Sequence, residues 1–276
     1  RPSEYLQVGI ECFGGSDIAK EDAKLFSIIN KAVGLSDLKI VTGDLGVLRS
    51  AISGLEINQR CKNALLRQLW RPKRFLHVLK YFSNSIHFIK NEKKEIIDLF
   101  KSGKLIEKIN SYNSTIGLRT RKDIIERVSE LSNDIVNNQL QENDVKLLQN
   151  LLKISCSLVD APKNIKKLTY SHDYLKKAAI LLENRLDNLS ELGINVKQID
   201  FEVSFGRTSM EYYDGFVFEM GPKKQINSIP FAQGGRYNEL TRILSRLQGY
   251  HKSTNSVGGI IRPEILHNFK LNQGIK

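Results

Sequence analysis

The sequence predicts an α+β protein in which a sheet flanked by helices is interrupted by a mainly helical insertion. Strand-like alternation of apolar and polar residues occupies both ends of the chain, over residues 4–13 and again from residue 196. Between about residues 55 and 192 the apolar residues recur instead at the 3.6-residue period of helices. The 276 residues, 41% of them hydrophobic, are enough to bury a large core.

The N-terminal part predicts a strand, a helix and a second strand. After the strand over residues 4–13, Asp17 can cap a helix whose periodic apolar residues run to Gly34, a typical helix-ending residue. Residues 38–41 form the next predicted strand, and residues 43–46 turn the chain into another helix. The layout therefore begins as mixed α and β.

Strand character returns after the helical middle of the chain. Predicted strands cover residues 196–205 and 212–220, and strand character resumes at Phe231 and Ala232. A helix over residues 236–247 and a last segment from Val257 follow. The predicted division is a core over residues 1–54 and 174–276, with the helical insertion at about 55–173.

Composition excludes several classes of protein. No apolar run reaches the roughly 18 to 20 residues of a membrane span, and no signal-peptide pattern opens the chain, which predicts a soluble cytoplasmic protein without membrane contact. Cys12, Cys61 and Cys156 are odd in number and far apart, and the five histidines lack metal-ligand spacing. We therefore expect no disulfide framework, no metal site and, without a Walker-type or comparable motif, no cofactor.

The net charge of +12 is spread along the chain. Lysine and arginine alternate with acidic residues, and the densest basic clusters are residues 67–74 and 163–167. Such charge permits binding to nucleic acid or to an acidic partner, but a solvated basic surface is the commoner meaning of this pattern.

The first candidate site is one face of the N-terminal strand. Alternation places Gln7, Gly9 and Glu11 on the same face, and the small Gly9 leaves the strand open between the two polar side chains. Four residues span roughly 13 Å, enough for a small molecule to touch both ends. Glu11 could pair with a ligand amine, although a solvent-facing strand would give the same pattern.

Two further candidates lie near the C-terminus. In a strand, Tyr212 and Tyr213 would face opposite ways, so that one packs in the core and the other offers its hydroxyl to a pocket. The adjacent Gly234 and Gly235 allow close approach to a ligand, and a helix N-terminus is predicted at Arg236. A plain tight turn is the alternative for these glycines.

Together these segments resemble histidyl-tRNA synthetases. Residues 5–14 (YLQVGIECFG) resemble the second half of their motif 2, residues 211–219 (EYYDGFVFE) their tyrosine motif, and residues 234–238 (GGRYN) the following glycine-rich segment. The resemblance covers residues 4–54 and about 174–266. It implies the antiparallel sheet of class II aminoacyl-tRNA synthetases.

The resemblance also implies that the ligand is free L-histidine. Glu11 would meet the ammonium group, Gln7 would help to hold the amino acid, and Tyr212 and Tyr213 would line the imidazole pocket. The remaining implied histidine-binding residues are Arg207, Gly234, Gly235 and Arg236.

Departures from the synthetase pattern bear on catalysis. Thr208 stands where the synthetases carry a catalytic arginine, with Arg207 one residue before it. In the motif 3-like segment 257–266 (VGGIIRPEIL), Ile265 replaces the arginine that binds ATP phosphates, while Arg262 lies three residues away. An aliphatic side chain cannot neutralise phosphate charge, so no catalytic residues are predicted.

The chain ends at Lys276, shortly after this segment, so we expect no anticodon-binding domain, and motif 1 would precede Arg1. This combination is similar to the regulatory subunits of short-form ATP phosphoribosyltransferase. That resemblance implies a non-catalytic homodimeric protein that binds histidine for feedback inhibition and assembles with a catalytic subunit in the first step of histidine biosynthesis. The alternatives are a catalytic-domain fragment of a histidyl-tRNA synthetase and a tRNA sensor, although nucleic-acid binding is not expected without a basic stripe.

Overall fold

A computed structural model gives the conformation of most of the chain. It describes residues 5–83, 91–112, 120–137, 140–168, 173–207, 211–223, 229–250 and 254–274.

The chain forms two compact units. One comprises Arg1–Gly54 with Leu147–Lys276, and the other comprises Leu55–Lys146. The first unit resumes earlier than the boundary at residue 174 predicted from the sequence. The reason is that residues 155–157 form a strand that pairs with the sheet, within a stretch whose neighbours have helical spacing.

The first unit contains a seven-stranded sheet in the order β1-β7-β6-β5-β2-β4-β3. The strands are β1 Val8–Phe13, β2 Leu38–Asp44, β3 Ser155–Ser157, β4 Ile199–Glu202, β5 Phe216–Pro222, β6 Ala232–Arg236 and β7 Ser256–Ile261. Neighbouring strands are antiparallel except β2 and β4, which are parallel. The sheet is therefore mixed. Its five consecutive strands β1-β7-β6-β5-β2 are all antiparallel to their neighbours in that run.

Helices of the first unit flank this sheet, and helices also make up most of the second unit. They are α1 Ile18–Val33, α2 Leu45–Gly54, α3 Gln59–Arg67, α4 Pro72–Ser83, α5 Asn91–Lys101, α6 Leu105–Asn110, α7 Arg121–Asn137, α8 Glu142–Leu152, α9 Ala161–Lys167, α10 Asp173–Glu191, α11 Asn238–Leu247 and α12 Pro263–Asn272. No helix among the described residues is both long enough and apolar enough to cross a bilayer.

The first helix, α1, begins and ends where its sequence predicts. The Asp17 side chain accepts a hydrogen bond from the amide of Lys20 at 3.1 Å, and Gly34 ends the helix in the left-handed conformation. The apolar side of α1 packs on the sheet, where the Phe26 ring lies 5.2 Å from that of Phe218. This contact places the core of the first unit between α1 and the centre of the sheet.

The second unit has its own apolar interior. Helices α3 and α4 bury Leu65, Phe75 and Leu79, and the amide of Leu140 donates to the carbonyl of Phe82 at 3.0 Å. The prediction of a helical middle is thus confirmed for this part of the chain.

One local prediction, and the alternative considered for the adjacent glycines, were wrong. Residues 43–46 form no loop, because β2 continues to Asp44 and α2 starts at Leu45. Residues 233–236 form no turn either, because Gly234 and Gly235 pair on both sides within β6.

Candidate functional site

Strand register divides the sheet into two faces. Glu11 pairs with Gly258, Gly258 with Gly235, and Gly235 with Val217. Directly paired residues share a face, so these four positions lie on one side of the sheet, which we call the site face. The opposite side carries Phe218 and packs against α1.

Glycines make a hollow on the site face into which Glu11 extends. A Cβ atom at Gly258 would overlap the Glu11 carboxylate, and one at Gly235 would lie 2.9 Å from the Tyr213 ring. Because neither glycine has a side chain, the carboxylate can lie across β7 towards the tyrosines. Glu11 thus lies on the same face as Gly9, as predicted, and its carboxylate occupies the hollow above Gly258.

One tyrosine, Tyr237, contacts the Glu11 carboxylate in this hollow, and the Tyr212 and Tyr213 rings lie beside it. Tyr237 donates its hydroxyl hydrogen bond to Glu11, and the Tyr212 hydroxyl donates to that of Tyr213 at 2.8 Å. The Tyr237 ring centroid lies 6.0 Å from that of Tyr212 and 6.3 Å from that of Tyr213. The cluster joins one carboxylate to three phenol groups, an arrangement suited to a planar ligand that carries N–H groups.

The two adjacent tyrosines differ in exposure. Tyr213 is 2% exposed and Tyr212 is 52% exposed, so one is packed and the other is accessible. They precede β5 instead of lying in it, and their rings are only 4.2 Å apart, so the predicted opposite orientation was wrong. Burial raises the pKa of both Tyr213 and Tyr237, so both hydroxyls stay protonated well above neutral pH.

Tyr237 was not among the predicted site residues. A strand over residues 232–236 would have placed Tyr237 on the same side as Gly235, two residues before it. Because a turn was considered for the two glycines, the strand alternation that places Tyr237 on the site face was not recognised.

A second row of residues on the site face contains another acid. Gly9 pairs with Ile260, Ile260 with Gln233, and Gln233 with Glu219. Burial raises the pKa of Glu219, while Arg262 and Lys39 oppose that rise. Gln233 and Glu219 are thus further polar groups on this face that sequence reasoning did not select.

Not every predicted residue joins the cluster. Gln7 lies exposed just before β1, and Gly234 points to the opposite face, where a Cβ would meet the Phe218 ring. Arg207 is buried, and that burial lowers its pKa.

Arg236 points away from the site face. Its Nε and Nη2 atoms contact a carboxylate oxygen of Asp22 at 2.8 and 2.7 Å, and Nη2 also donates to the Ile18 carbonyl at 3.3 Å. It is 3% exposed and belongs to the packing of β6 on α1. Its predicted role as a direct histidine ligand is therefore replaced by a structural one.

Asp22 connects Arg236 to a buried chain of charges. Its second carboxylate oxygen contacts Arg185 at 2.8 Å, and Arg185 contacts Asp44 at 2.8 Å. Asp44 in turn accepts the amide of Gly46 at 2.8 Å, at the start of α2. Burial raises the pKa of Asp22, and the two guanidinium groups oppose this shift. The chain of charges ties β6, α1, α10 and α2 together behind the site face.

The positions relevant to catalysis can be located in part. Thr208 lies outside the described residues, and Ile265 is half-buried in α12. Arg262 precedes α12, and its guanidinium donates to the carbonyl of Pro230 at 3.0 Å. Arg262 is the N-cap residue of α12, three residues before Ile265, and its guanidinium is engaged by this backbone carbonyl instead of extending as a substitute for the displaced arginine.

Replacing Gly258 by alanine tests the role of the hollow while leaving Glu11 itself in the sequence. The new methyl group would displace the flexible carboxylate from Tyr237, and we expect ligand affinity to fall about tenfold through loss of this arrangement. Calorimetric titration with histidine measures the change. Gly221→Ala, where a Cβ has 3.7 Å of clearance, is the matched control. Equal affinities in the two variants would contradict the assignment of the hollow.

Curated relatives resemble almost the whole chain. A protein of Brucella anthropi is 26% identical over 261 residues and one of Brucella canis is 27% identical over 258 residues. Each match covers 88% of this chain and 67% of the relative, and each relative is named ATP phosphoribosyltransferase regulatory subunit. No protein-family model matches the chain.

Solved structures share the fold. An ATP phosphoribosyltransferase regulatory subunit/histidyl-tRNA synthetase from Bacillus halodurans superposes with a TM-score of 0.58 at 20% identity, covering 96% of this chain and 53% of that one. Histidyl-tRNA synthetase from Nostoc sp. superposes with a TM-score of 0.55 at 17% identity, covering 98% and 51%. The chain spans about half the length of these structures.

The fold is therefore that of the class II histidyl-tRNA synthetases, as the motifs predicted. Curated relatives that the chain resembles over 88% of its length are named ATP phosphoribosyltransferase regulatory subunits.

Proposed function

We propose that this protein is a non-catalytic regulatory subunit of ATP phosphoribosyltransferase that binds L-histidine on the site face. The observation that carries the proposal is the hydrogen bond from Tyr237 to Glu11, beside the rings of Tyr212 and Tyr213 and over a floor of glycines. The names of the curated relatives supply the biochemical setting.

The location of Glu11 favours the imidazole ring over the ammonium group as its partner. Its carboxylate lies against the Tyr237 hydroxyl, within the group of rings expected to receive the imidazole. A carboxylate that accepts one hydrogen bond can still accept another, from an imidazole N–H. Gln7, just before β1, and Gly9, within it, then lie towards the amino-acid end of the ligand.

The absence of an arginine at position 265 supports a sensor over a catalyst. Adenylate formation requires positive charge on the ATP phosphates, and Ile265 offers none. Arg262 donates to a backbone carbonyl and does not replace it. A pocket that keeps its ring-binding groups but has Ile265 in place of a phosphate-binding arginine suits recognition of free histidine.

We further propose that the chain forms a homodimer and assembles with a separate catalytic subunit, which carries out phosphoribosyl transfer. Histidine can regulate that subunit only if its affinity differs between two states of the complex, and a coupling of about 1–3 kcal/mol is typical.

An assay with the purified catalytic subunit of ATP phosphoribosyltransferase tests this function. We expect phosphoribosyl transfer to require this chain and to fall about 5- to 150-fold at saturating histidine, the range that such coupling allows. Transfer that is indifferent to the chain would contradict the regulatory role.

The synthetase-fragment alternative has a direct test in histidine-dependent exchange of pyrophosphate into ATP. We expect no exchange above background, because Ile265 cannot stabilise the charge on the phosphates. Robust exchange would replace the regulatory function by an enzymatic one.

A further inference from the structure

Helix α11 carries its apolar residues on the outside. Leu240, Ile243, Leu244 and Leu247 follow the spacing of one helical face, and their exposures are 37%, 48%, 52% and 76%. We call these four residues the α11 stripe. No residue of α11 is buried, so the stripe faces away from the body of its own unit.

The polar side of α11 faces the protein instead. The Asn238 side chain accepts the amide of Ser256 at 2.8 Å, and the Thr241 hydroxyl donates to the carbonyl of Thr254 at 2.8 Å. Glu239 contacts Arg49 at 3.3 Å. These contacts invert the usual arrangement of a surface helix, in which the apolar face packs and the polar face is solvated. A contiguous exposed apolar face of this kind is typical of an interaction surface.

The charges beside the stripe indicate the chemistry of what covers it. Glu239 is shared between Arg49 and Arg242, with Arg242 at 2.6 Å. Arg246 is exposed and takes part in none of the ion pairs among the described residues. Three arginines thus accompany Glu239 and the buried Asp214, in a chain of net charge +12. Two copies of this surface would repel each other, whereas a partner with carboxylates would be attracted.

We propose that the α11 stripe is the docking surface for an apolar ridge bordered by carboxylates on a different protein. This inference rests on the proposed function, in which that protein is the catalytic subunit.

The stripe is joined directly to the histidine site. Tyr237, which donates to Glu11, is the residue immediately before α11. Asp214, which follows Tyr213, accepts the backbone amide of Glu239 in the first turn of the helix. A ligand that shifts either tyrosine therefore shifts the base of α11 without an intervening loop. The docked protein would sense histidine through this connection.

The experiment measures binding of the purified chain to the purified catalytic subunit of ATP phosphoribosyltransferase at low and high salt, together with histidine affinity. We expect Leu244→Asp to weaken docking at least about 30-fold, since it places a charge in a desolvated contact, and to leave histidine affinity unchanged. Leu271→Asp, at a residue 62% exposed on α12, is the matched control and should bind as the wild type does. Arg246→Glu should weaken docking about tenfold at low salt and less at high salt.

The possible failures are distinguishable. If the wild-type chain binds histidine but not the catalytic subunit, the proposed function fails. If docking is normal in Leu244→Asp, the surface is wrong while the function stands. If sedimentation shows that Leu244→Asp converts a wild-type dimer into monomers without affecting docking, the stripe joins two copies of this chain and the inference is overturned.

Discussion

Replacing Glu11 by glutamine is expected to weaken histidine binding about 10- to 150-fold. Glutamine keeps the shape of the side chain and can still accept from Tyr237, but it loses the charge that strengthens a hydrogen bond to a ligand N–H. Hydrogen bonds to charged groups contribute about 1.5–3 kcal/mol, which corresponds to this range. Calorimetric titration of the purified chain measures the dissociation constant. Glu264→Gln, on the exposed side of α12, should leave it unchanged.

A histidine analogue separates the two roles open to Glu11. Imidazole propionate keeps the ring and the carboxylate of histidine but lacks the ammonium group. If Glu11 meets the ring, Glu11→Gln weakens both ligands by the same factor, whereas a partner of the ammonium would affect histidine alone. Unchanged affinity for both ligands would remove Glu11 from the site.

Replacing Asp22 by alanine is expected to lower the free energy of unfolding by about 3–5 kcal/mol. Asp22 is fully buried between Arg185 and Arg236, and its removal leaves both guanidinium groups in the interior without their shared carboxylate. Arg185 would retain Asp44, but within the described part of the chain Arg236 would retain only Glu21, at 3.5 Å, as a charged partner. Denaturant unfolding monitored by circular dichroism measures the loss.

Asp37→Ala is the corresponding surface control. Asp37 pairs with Lys223 at 2.5 Å but its side chain is 71% exposed, so solvent screens the interaction and the change should be under about 1 kcal/mol. A similarly small effect for Asp22→Ala would mean that the buried charges contribute specificity of packing without net stability.

The sequence was informative where local chemistry decides structure. The caps Asp17 and Gly34 set the limits of α1, and strict alternation put Gly9 and Glu11 on one face, as the pairing of β1 with β7 confirms. The motifs predicted the class II synthetase fold, which the solved structures bear out. The assignment of Gln7 and of the other residues to histidine remains a prediction.

The missed features depend on partners that are distant in sequence. Adjacent glycines have no side chains to display alternation, so β6 resembled a turn, and Arg236 and Tyr237 could not be assigned to opposite faces. Arg185 lies on an amphipathic helix, where an arginine normally reaches solvent. Its burial depends on Asp22, 163 residues away. No local pattern contains that information.

The position of β1 at the edge of the sheet affects how binding could be observed. Among the described residues β1 pairs only with β7, and edge strands open locally at a lower free-energy cost than central ones. The hydrogen bond from Tyr237, which follows β6, to Glu11 on β1 spans the intervening strand β7. It therefore stabilises the edge of the sheet through a strand with which β1 does not pair. A ligand that bridges Glu11 and the tyrosines would therefore slow amide hydrogen exchange along Val8–Phe13. The edge of the sheet would thereby report occupancy of the site.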